Sequence, residues 1–157
     1  MPTSSHLPRT PIPRKGAILQ LCELYRCANR QNIPVFVRPM PLCGSMSVMV
    51  DGNCAIGLDR SVCDCASREK THLAHEIGHC ITGSFYSELT PQNIRERQEN
   101  RADKFAIRLL VPKDALDTAV SAGLTQVWEL AEYFGVTEDF MTKAITFHQT
   151  GSLPAQK

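Results

Sequence analysis

Two histidines and a glutamate stand at a spacing that could hold and use a metal ion. The run His75-Glu76-Ile77-Gly78-His79 has the pattern H-E-x-x-H. Residues four apart in a helix lie on one face, so both imidazoles can bind one tetrahedral ion. Glu76 is offset from the first ligand and can reach a water molecule at the metal's open position. The pattern predicts His75 and His79 as ligands and Glu76 as the catalytic base.

A catalytic metal of this kind needs a third protein ligand. An E-x-x-x-D pattern runs from Glu99 to Asp103, and its two carboxylates share a helix face. One can bind the metal while the other accepts the free N–H of a ligating histidine and so orients the ring. A solvated charged face is the alternative, since Glu96, Arg97 and Arg101 are close by. The E-x-x-x-D pattern lies between the H-E-x-x-H motif and an apolar run, and this position favours the metal interpretation.

Further candidates surround this predicted centre. When a metal-bound water attacks a carbonyl group, the tetrahedral oxyanion that forms needs a hydrogen-bond donor besides the metal. Tyr86, Tyr133 and His148 are candidates for this donor, and the sequence does not rank them. His72, one turn before His75, could be an alternative ligand or a proton shuttle, but a partly exposed neighbour is favoured. Two histidines and a glutamate suit several divalent ions. We predict zinc as the metal, and manganese and iron are the alternatives because the same ligands also suit them.

The chain has seven cysteines, and an odd count argues against a closed disulfide framework. In a reducing cytosol we expect free thiols, with Cys80 packed in the core. Cys54, Cys63 and Cys65 could bind a structural zinc together with Cys43 or Cys80. A single C-x-C lacks the paired spacing of zinc ribbons, however. Reduced thiols are the favoured interpretation.

Hydrophobic periodicity predicts the elements that must position these residues. Two short apolar runs flank the turn Asp51-Gly52-Asn53, which predicts a β-hairpin before the active helix. That helix is expected to begin at Ser67 as its N-cap and to stop at Gly83. The strands are predicted over residues 33–37, 46–50 and 54–58, and the other helices over 16–32, 91–110, 112–123, 125–134 and 137–147.

Length and composition limit the organisation of the chain. Its 157 residues, 43% of them hydrophobic, fit one domain, and a net charge of +1 argues against nucleic-acid partners. No apolar run has the length of a membrane span or a signal peptide, so we expect a cytoplasmic protein with no membrane partner. Prolines predict a flexible arm over residues 1–15. We expect a single domain over 16–150, with a helical lobe at about 112–148, and a frayed tail over 151–157.

The spacing over residues 126–145 resembles a helix-turn-helix unit, which could bind DNA or dock a repressor. Its second helix carries Glu138, Asp139 and only Lys143, a poor set for phosphate or base contacts. We favour a packed helical hairpin that could also dock a protein partner. Trp128 is expected in the core, whereas an exposed tryptophan would indicate an interface.

The motifs around the predicted site resemble those of the ImmA/IrrE-type metallopeptidases. L-A-H-E-x-G-H matches residues 73–79, E-x-x-A-[ND]-x-F-A matches 99–106 and L-L-x-P matches 109–112. The resemblance covers roughly residues 33–147. It implies an α+β, gluzincin-like fold, in which a small twisted β-sheet packs on an active-site helix and the C-terminal portion is mostly helical. We accordingly predict Glu99 as the third ligand and Asp103 as the supporting carboxylate.

The same resemblance implies a function. Such proteins are encoded in bacteria and on their mobile elements, and they cleave or otherwise inactivate a helix-turn-helix repressor. We therefore predict a zinc-dependent endopeptidase whose substrate joins the strand over residues 46–50 as an added strand. The alternative is a metal-binding anti-repressor that acts by contact without proteolysis. A third hypothesis, a DNA-binding regulator using the C-terminal helices, predicts salt-dependent duplex binding and is disfavoured by the near-neutral charge.

Overall fold

A computed structural model describes residues 18–40 and 43–154. Over these residues the protein has the predicted α+β fold, with six helices and one mixed sheet of three strands. The predicted arm over residues 1–15 lies outside the described residues. None of the helices described is both long and apolar enough to cross a lipid bilayer. In chain order the elements are α1 (Leu21–Arg30), β1 (Val35–Arg38), β2 (Ser45–Val50), β3 (Asn53–Asp59), α2 (Ala66–Thr82), α3 (Gln92–Leu110), α4 (Lys113–Ser121), α5 (Val127–Phe134) and α6 (Glu138–Thr150).

The sheet places one free strand edge beside the helix that carries the H-E-x-x-H pattern. Its strand order is β1-β3-β2, with β1 parallel and β2 antiparallel to β3. Asp51 and Gly52 connect β2 to β3 with positive φ values of 49° and 77°, as a type I′ hairpin turn requires. Ile56 and Leu58 of β3 are fully buried and face the helical core. Because β3 lies between β1 and β2, the strand β2 forms an edge of the sheet.

The helix α2 packs against β2 and β3 through Leu73, Ala74 and Ile77, which are fully buried. It ends at Gly83, whose left-handed conformation caps the helix as predicted. Its predicted start was wrong, because Cys65 and not Ser67 is the N-cap residue. The backbone of Cys65 is extended, and the chain is already helical at position 66.

The helix α3 crosses α2 at very short range. A Cβ atom at Gly78 would lie 2.7 Å from the carbonyl oxygen of Ala102, so this crossing requires glycine. Gly78 lies between His75 and His79 along α2. The crossing therefore brings this part of α3 next to both histidines.

The helices α5 and α6 form a hairpin that closes the core. Gly135 ends α5 in a left-handed conformation, and the Thr137 hydroxyl caps α6 by accepting from the Phe140 N–H. Lys70 of α2 is buried and donates its Nζ proton to the carbonyl oxygen of Phe134 at 2.5 Å. Burial lowers the pKa of Lys70 to about 8. This contact fixes the hairpin to the active-site helix.

The prediction that Trp128 lies in the core was wrong. It is 56% exposed, whereas Leu130, Ala131 and Phe134 form the buried face of α5. At about 100° of rotation per residue, Trp128 falls off that face. After α6, Leu153 is partly buried and packs against the core.

The cysteines correct another prediction. Cys54 of β3 and Cys80 of α2 form a disulfide, with their Cα atoms 5.8 Å apart. The expectation of free thiols throughout was therefore wrong, because the sheet and α2 bring together two residues that are 26 positions apart. The other five cysteines in the described residues are free: Cys22, Cys27, Cys43, Cys63 and Cys65.

Candidate metal centre

Three predicted ligands converge on one point between α2 and α3. His75 Nε2 lies 3.0 Å from His79 Nε2. The Glu99 carboxylate lies 3.2 Å from each of these nitrogens, through a different oxygen in each case. Within the described part of the chain, this is the group of ligand atoms close enough together to hold a metal ion. The side chains of His75 and Glu99 are each 21% exposed, so the group is open to solvent on one side.

The outer nitrogens of both rings are held by protein oxygens. His75 Nδ1 lies 2.9 Å from Asp103 Oδ1, and His79 Nδ1 lies 2.7 Å from the carbonyl oxygen of Ser84. A proton on Nδ1 leaves the Nε2 lone pair free and directed toward Glu99. Two such imidazoles and a carboxylate are a donor set that fits a divalent transition metal. The residues present therefore fit the metal that the sequence pattern implies.

Sequence reasoning missed Ser84, which is fully buried beside His79. Its backbone N–H donates to the His79 carbonyl oxygen at 3.1 Å, after Gly83 reverses the chain. The helix stop predicted at Gly83 carried the signal, because a reversal there returns the next residue to the last turn of α2. The supporting oxygen for His79 is therefore built by the helix cap.

Lys143 is a second residue that sequence reasoning did not place at the site. Its Nζ lies 2.7 Å from Asp103 Oδ2, while Asp103 Oδ1 faces His75. Burial opposes ionisation of Asp103, but the hydrogen bonds and positive charges of His75 and Lys143 outweigh it and lower the pKa of Asp103. The carboxylate is thus held charged between α2 and α6.

Charge compensation within the group shifts two further pKa values. Burial alone lowers the pKa of His75, but the hydrogen bonds to Asp103 and Glu99 outweigh it and raise that pKa to about 10. Burial raises the pKa of Glu99, yet its bonds with His75, His79 and Tyr86 hold it well below its usual range. The metal-free group therefore carries a proton that a bound cation would displace.

Glu76 lies beside the ligands, and its carboxylate is held from the side of the sheet. The Ser45 hydroxyl donates to Glu76 Oε1 at 2.7 Å, and His72 Nδ1 lies 2.7 Å from the same hydroxyl oxygen. Burial lowers the pKa of His72, against the opposing effect of Glu76. His72 is not a member of the ligand group, and Ser45 was not predicted as a site residue.

Of the three candidate oxyanion donors, the structure brings Tyr86 to the site. Its hydroxyl donates to Glu99 Oε1 at 2.6 Å, and burial together with this bond raises the pKa of Tyr86 to about 12. The ring of Tyr133 packs on Phe134 instead. His148 Nε2 lies 2.7 Å from the carbonyl oxygen of Val111. Neither Tyr133 nor His148 lines the cleft beside Glu76.

An open cleft of about 390 Å³ lies over the ligands. A smaller hollow of about 230 Å³ adjoins it below β2, and the two share Ser45, Glu76 and Tyr86. The two hollows therefore meet at Glu76. The larger part is lined by Gly44, Ser45, Thr71, His72, His75, Glu76, Tyr86, Glu99, Asp103, Thr137, Asp139, Phe140 and Lys143.

A helix bearing H-E-x-x-H, a second helix bearing a carboxylate, and an edge strand along an open cleft together define a metallopeptidase type of architecture. In comparisons with protein families, residues 56–146 match Peptidase_M78, the IrrE N-terminal-like domain. The chain belongs to this peptidase family, which confirms the resemblance noted from the motifs. No curated protein matches the chain.

Proposed function

We propose that the protein is a zinc-dependent endopeptidase that cleaves a helix-turn-helix repressor and so relieves repression. The observation that carries the proposal is the convergence of His75, His79 and Glu99 beside Glu76, in a chain that belongs to a peptidase family. Zinc, when bound, would polarise the scissile carbonyl group and make a water molecule more acidic.

The chain's own residues account for the proton transfers. Glu76 takes a proton from the attacking water and delivers it to the leaving amine. Asp103 and Ser84 hold the two ligand rings in one tautomer, with Nε2 directed inward. Tyr86 borders both parts of the cleft and supplies an O–H group for the developing oxyanion.

The shape of the cleft supports an endopeptidase. Its two parts meet at Glu76, so a substrate chain that lies across both would extend before and after the scissile bond. Ser45, Met46 and Ser47 of the edge strand β2 line the smaller part. An extended substrate segment would pair with this edge through main-chain hydrogen bonds.

The test uses a purified helix-turn-helix repressor, chosen first from any that genes neighbouring this one encode. Purified repressor is incubated with zinc-loaded wild type, Glu76→Gln, or Glu132→Gln, an exposed glutamate on α5 that serves as the matched control. We expect wild type and Glu132→Gln to yield the same two fragments by mass spectrometry. Glu76→Gln should bind zinc normally and yield none. Reconstitution with manganese or iron(II) in place of zinc tests which metal supports cleavage.

A reporter gene under the same repressor separates cleavage from contact. Full derepression by Glu76→Gln in cells, with the repressor intact, would replace the peptidase proposal with the contact mechanism. Derepression by wild type and Glu132→Gln alone, with loss of intact repressor, supports proteolysis. The readout is reporter output together with an immunoblot of the repressor.

A further inference from the structure

We infer that His72 and Ser45 are positioning residues that hold the Glu76 carboxylate through one of its oxygens. This inference rests on the proposed function, because it gives the two residues a role in presenting the catalytic base. It assigns a role to His72, for which the sequence alone favoured a partly exposed neighbour of the site.

The chain of hydrogen bonds that joins His72, Ser45 and Glu76 is called the relay here. The number of protons that these side chains carry fixes which atom donates in each bond. The Ser45 hydroxyl has one proton, and the Glu76 carboxylate can only accept, so Ser45 donates at 2.7 Å. His72 Nδ1, also 2.7 Å from Ser45 Oγ, must then be the donor to that oxygen. His72 is therefore protonated at Nδ1, and the chain of bonds runs from His72 through Ser45 to Glu76.

The relay leaves one carboxylate oxygen available for chemistry. Ser45 holds Oε1, while no group of the described residues donates to Oε2. A carboxylate fixed at one oxygen cannot rotate freely, so the position of Oε2 is restricted as well. Small errors in the position of a catalytic group cost large factors in rate.

A glycine makes room for this arrangement. A Cβ atom at Gly44 would lie 2.9 Å from His72 Cε1 and 3.1 Å from Val62 Cγ2. The Gly44 carbonyl oxygen accepts a hydrogen bond from the Asp59 N–H at 2.8 Å, which holds the backbone before Ser45 in place. The His72 imidazole is therefore confined between its own helix, α2, and the start of β2.

The first test does not depend on cleavage. Two-bond ¹H–¹⁵N NMR spectra report which ring nitrogen of each histidine carries the proton, in metal-free and zinc-loaded protein. We expect His72 to be protonated at Nδ1 in wild type. In Ser45→Ala it should revert to protonation at Nε2, the form that predominates in free histidine. A wild-type His72 protonated at Nε2 alone, or a tautomer unchanged in Ser45→Ala, would overturn the inference.

The second test measures kinetics and zinc affinity. Ser45→Ala and His72→Leu should lower kcat by about 10- to 100-fold, with KM and zinc affinity nearly unchanged. His72→Asn should restore much of the rate, because its amide N–H can take the place of Nδ1–H. Gly44→Ala should resemble His72→Leu, and Ser121→Ala, an exposed serine on α4, serves as the control.

The two tests separate this inference from the proposed function. If wild type cleaves and His72→Leu cleaves equally fast, the relay is wrong and the peptidase proposal stands. If wild type cleaves nothing, the peptidase proposal fails, and the tautomer of His72 still decides whether the relay exists.

Discussion

Gly78 of α2 lies directly against the backbone of Ala102 in α3, so close that a Cβ atom at position 78 would lie 2.7 Å from the Ala102 carbonyl oxygen. Gly78 stands between the two imidazole ligands, and Ala102 stands between Glu99 and Asp103. The separation of the two helices therefore also sets the separation of the ligands. A change in packing at this crossing is a change in the metal centre.

Gly78→Ala should destabilise the protein and weaken metal binding together. The added methyl group meets backbone atoms that cannot turn aside, and overpacking of this kind costs about 1–3 kcal/mol in the free energy of unfolding. Chemical denaturation and zinc titration measure the two effects. Gly57→Ala is the matched control, because its added Cβ would press only on the flexible Met40 side chain and would meet the nearest backbone atom, the Met46 carbonyl oxygen, at an ordinary 3.9 Å. Normal zinc affinity in folded Gly78→Ala would contradict the link between packing and ligand geometry.

The metal-free protein should lose the contribution of His75 as the pH rises. The pKa of His75 is raised to about 10 by its bonds to Asp103 and Glu99, which outweigh burial. Because this value exceeds that of an unfolded histidine, about 6.5, the stabilisation is complete below that pH and is lost as the pH rises through 10.

The difference in unfolding free energy between wild type and His75→Ala isolates this contribution, because both proteins share the opposing titration of Lys70. Denaturation curves at pH 6, 8 and 10 in the presence of a chelator provide the measurement. We expect the difference to shrink steadily over this range. A constant difference would show that folding leaves the pKa of His75 unchanged.

Tyr86→Phe should lower kcat by about 100- to 1000-fold, the usual cost of removing one oxyanion donor. Zinc affinity should fall much less, because Tyr86 contacts the candidate ligand Glu99 and does not itself belong to the ligand group. Tyr133→Phe is the control, since that ring packs on Phe134. Equal kcat values for the two variants would remove Tyr86 from the mechanism.

The disulfide between Cys54 and Cys80 should stabilise the oxidised protein. It closes a loop between residues 26 positions apart, for which loop-closure entropy gives about 3.5 kcal/mol. Cys54→Ser should therefore lower the free energy of unfolding under oxidising conditions and have a smaller effect in excess dithiothreitol. Cys22→Ser, at an exposed free thiol, should change neither value. Equal stabilities of oxidised and reduced wild type would count against a role for the bond.

Periodicity and short motifs predicted the helices, the hairpin and the ligand group, because these depend on spacing within one or two elements. The positions of Ser45 and Lys143 depend on how β2 and α6 pack around α2, and no local pattern records that packing. The Cys54–Cys80 pairing likewise required the distance between a strand and a helix. The prediction for Trp128 failed for a different reason, since the spacing of Leu130, Ala131 and Phe134 already defines the buried face of α5 and Trp128 lies off it.

The contact from Lys143 through Asp103 to His75 makes the last helix part of the structure that supports the candidate metal centre. A fragment that stops before α6 would leave Asp103 without its cation and His75 with a less firmly held partner. Local opening of the C-terminal hairpin would loosen this support, so a metal ion bound at the candidate centre should slow amide hydrogen exchange in α6. Replacing the C-terminal helices would therefore also change the contacts that hold the candidate metal ligands.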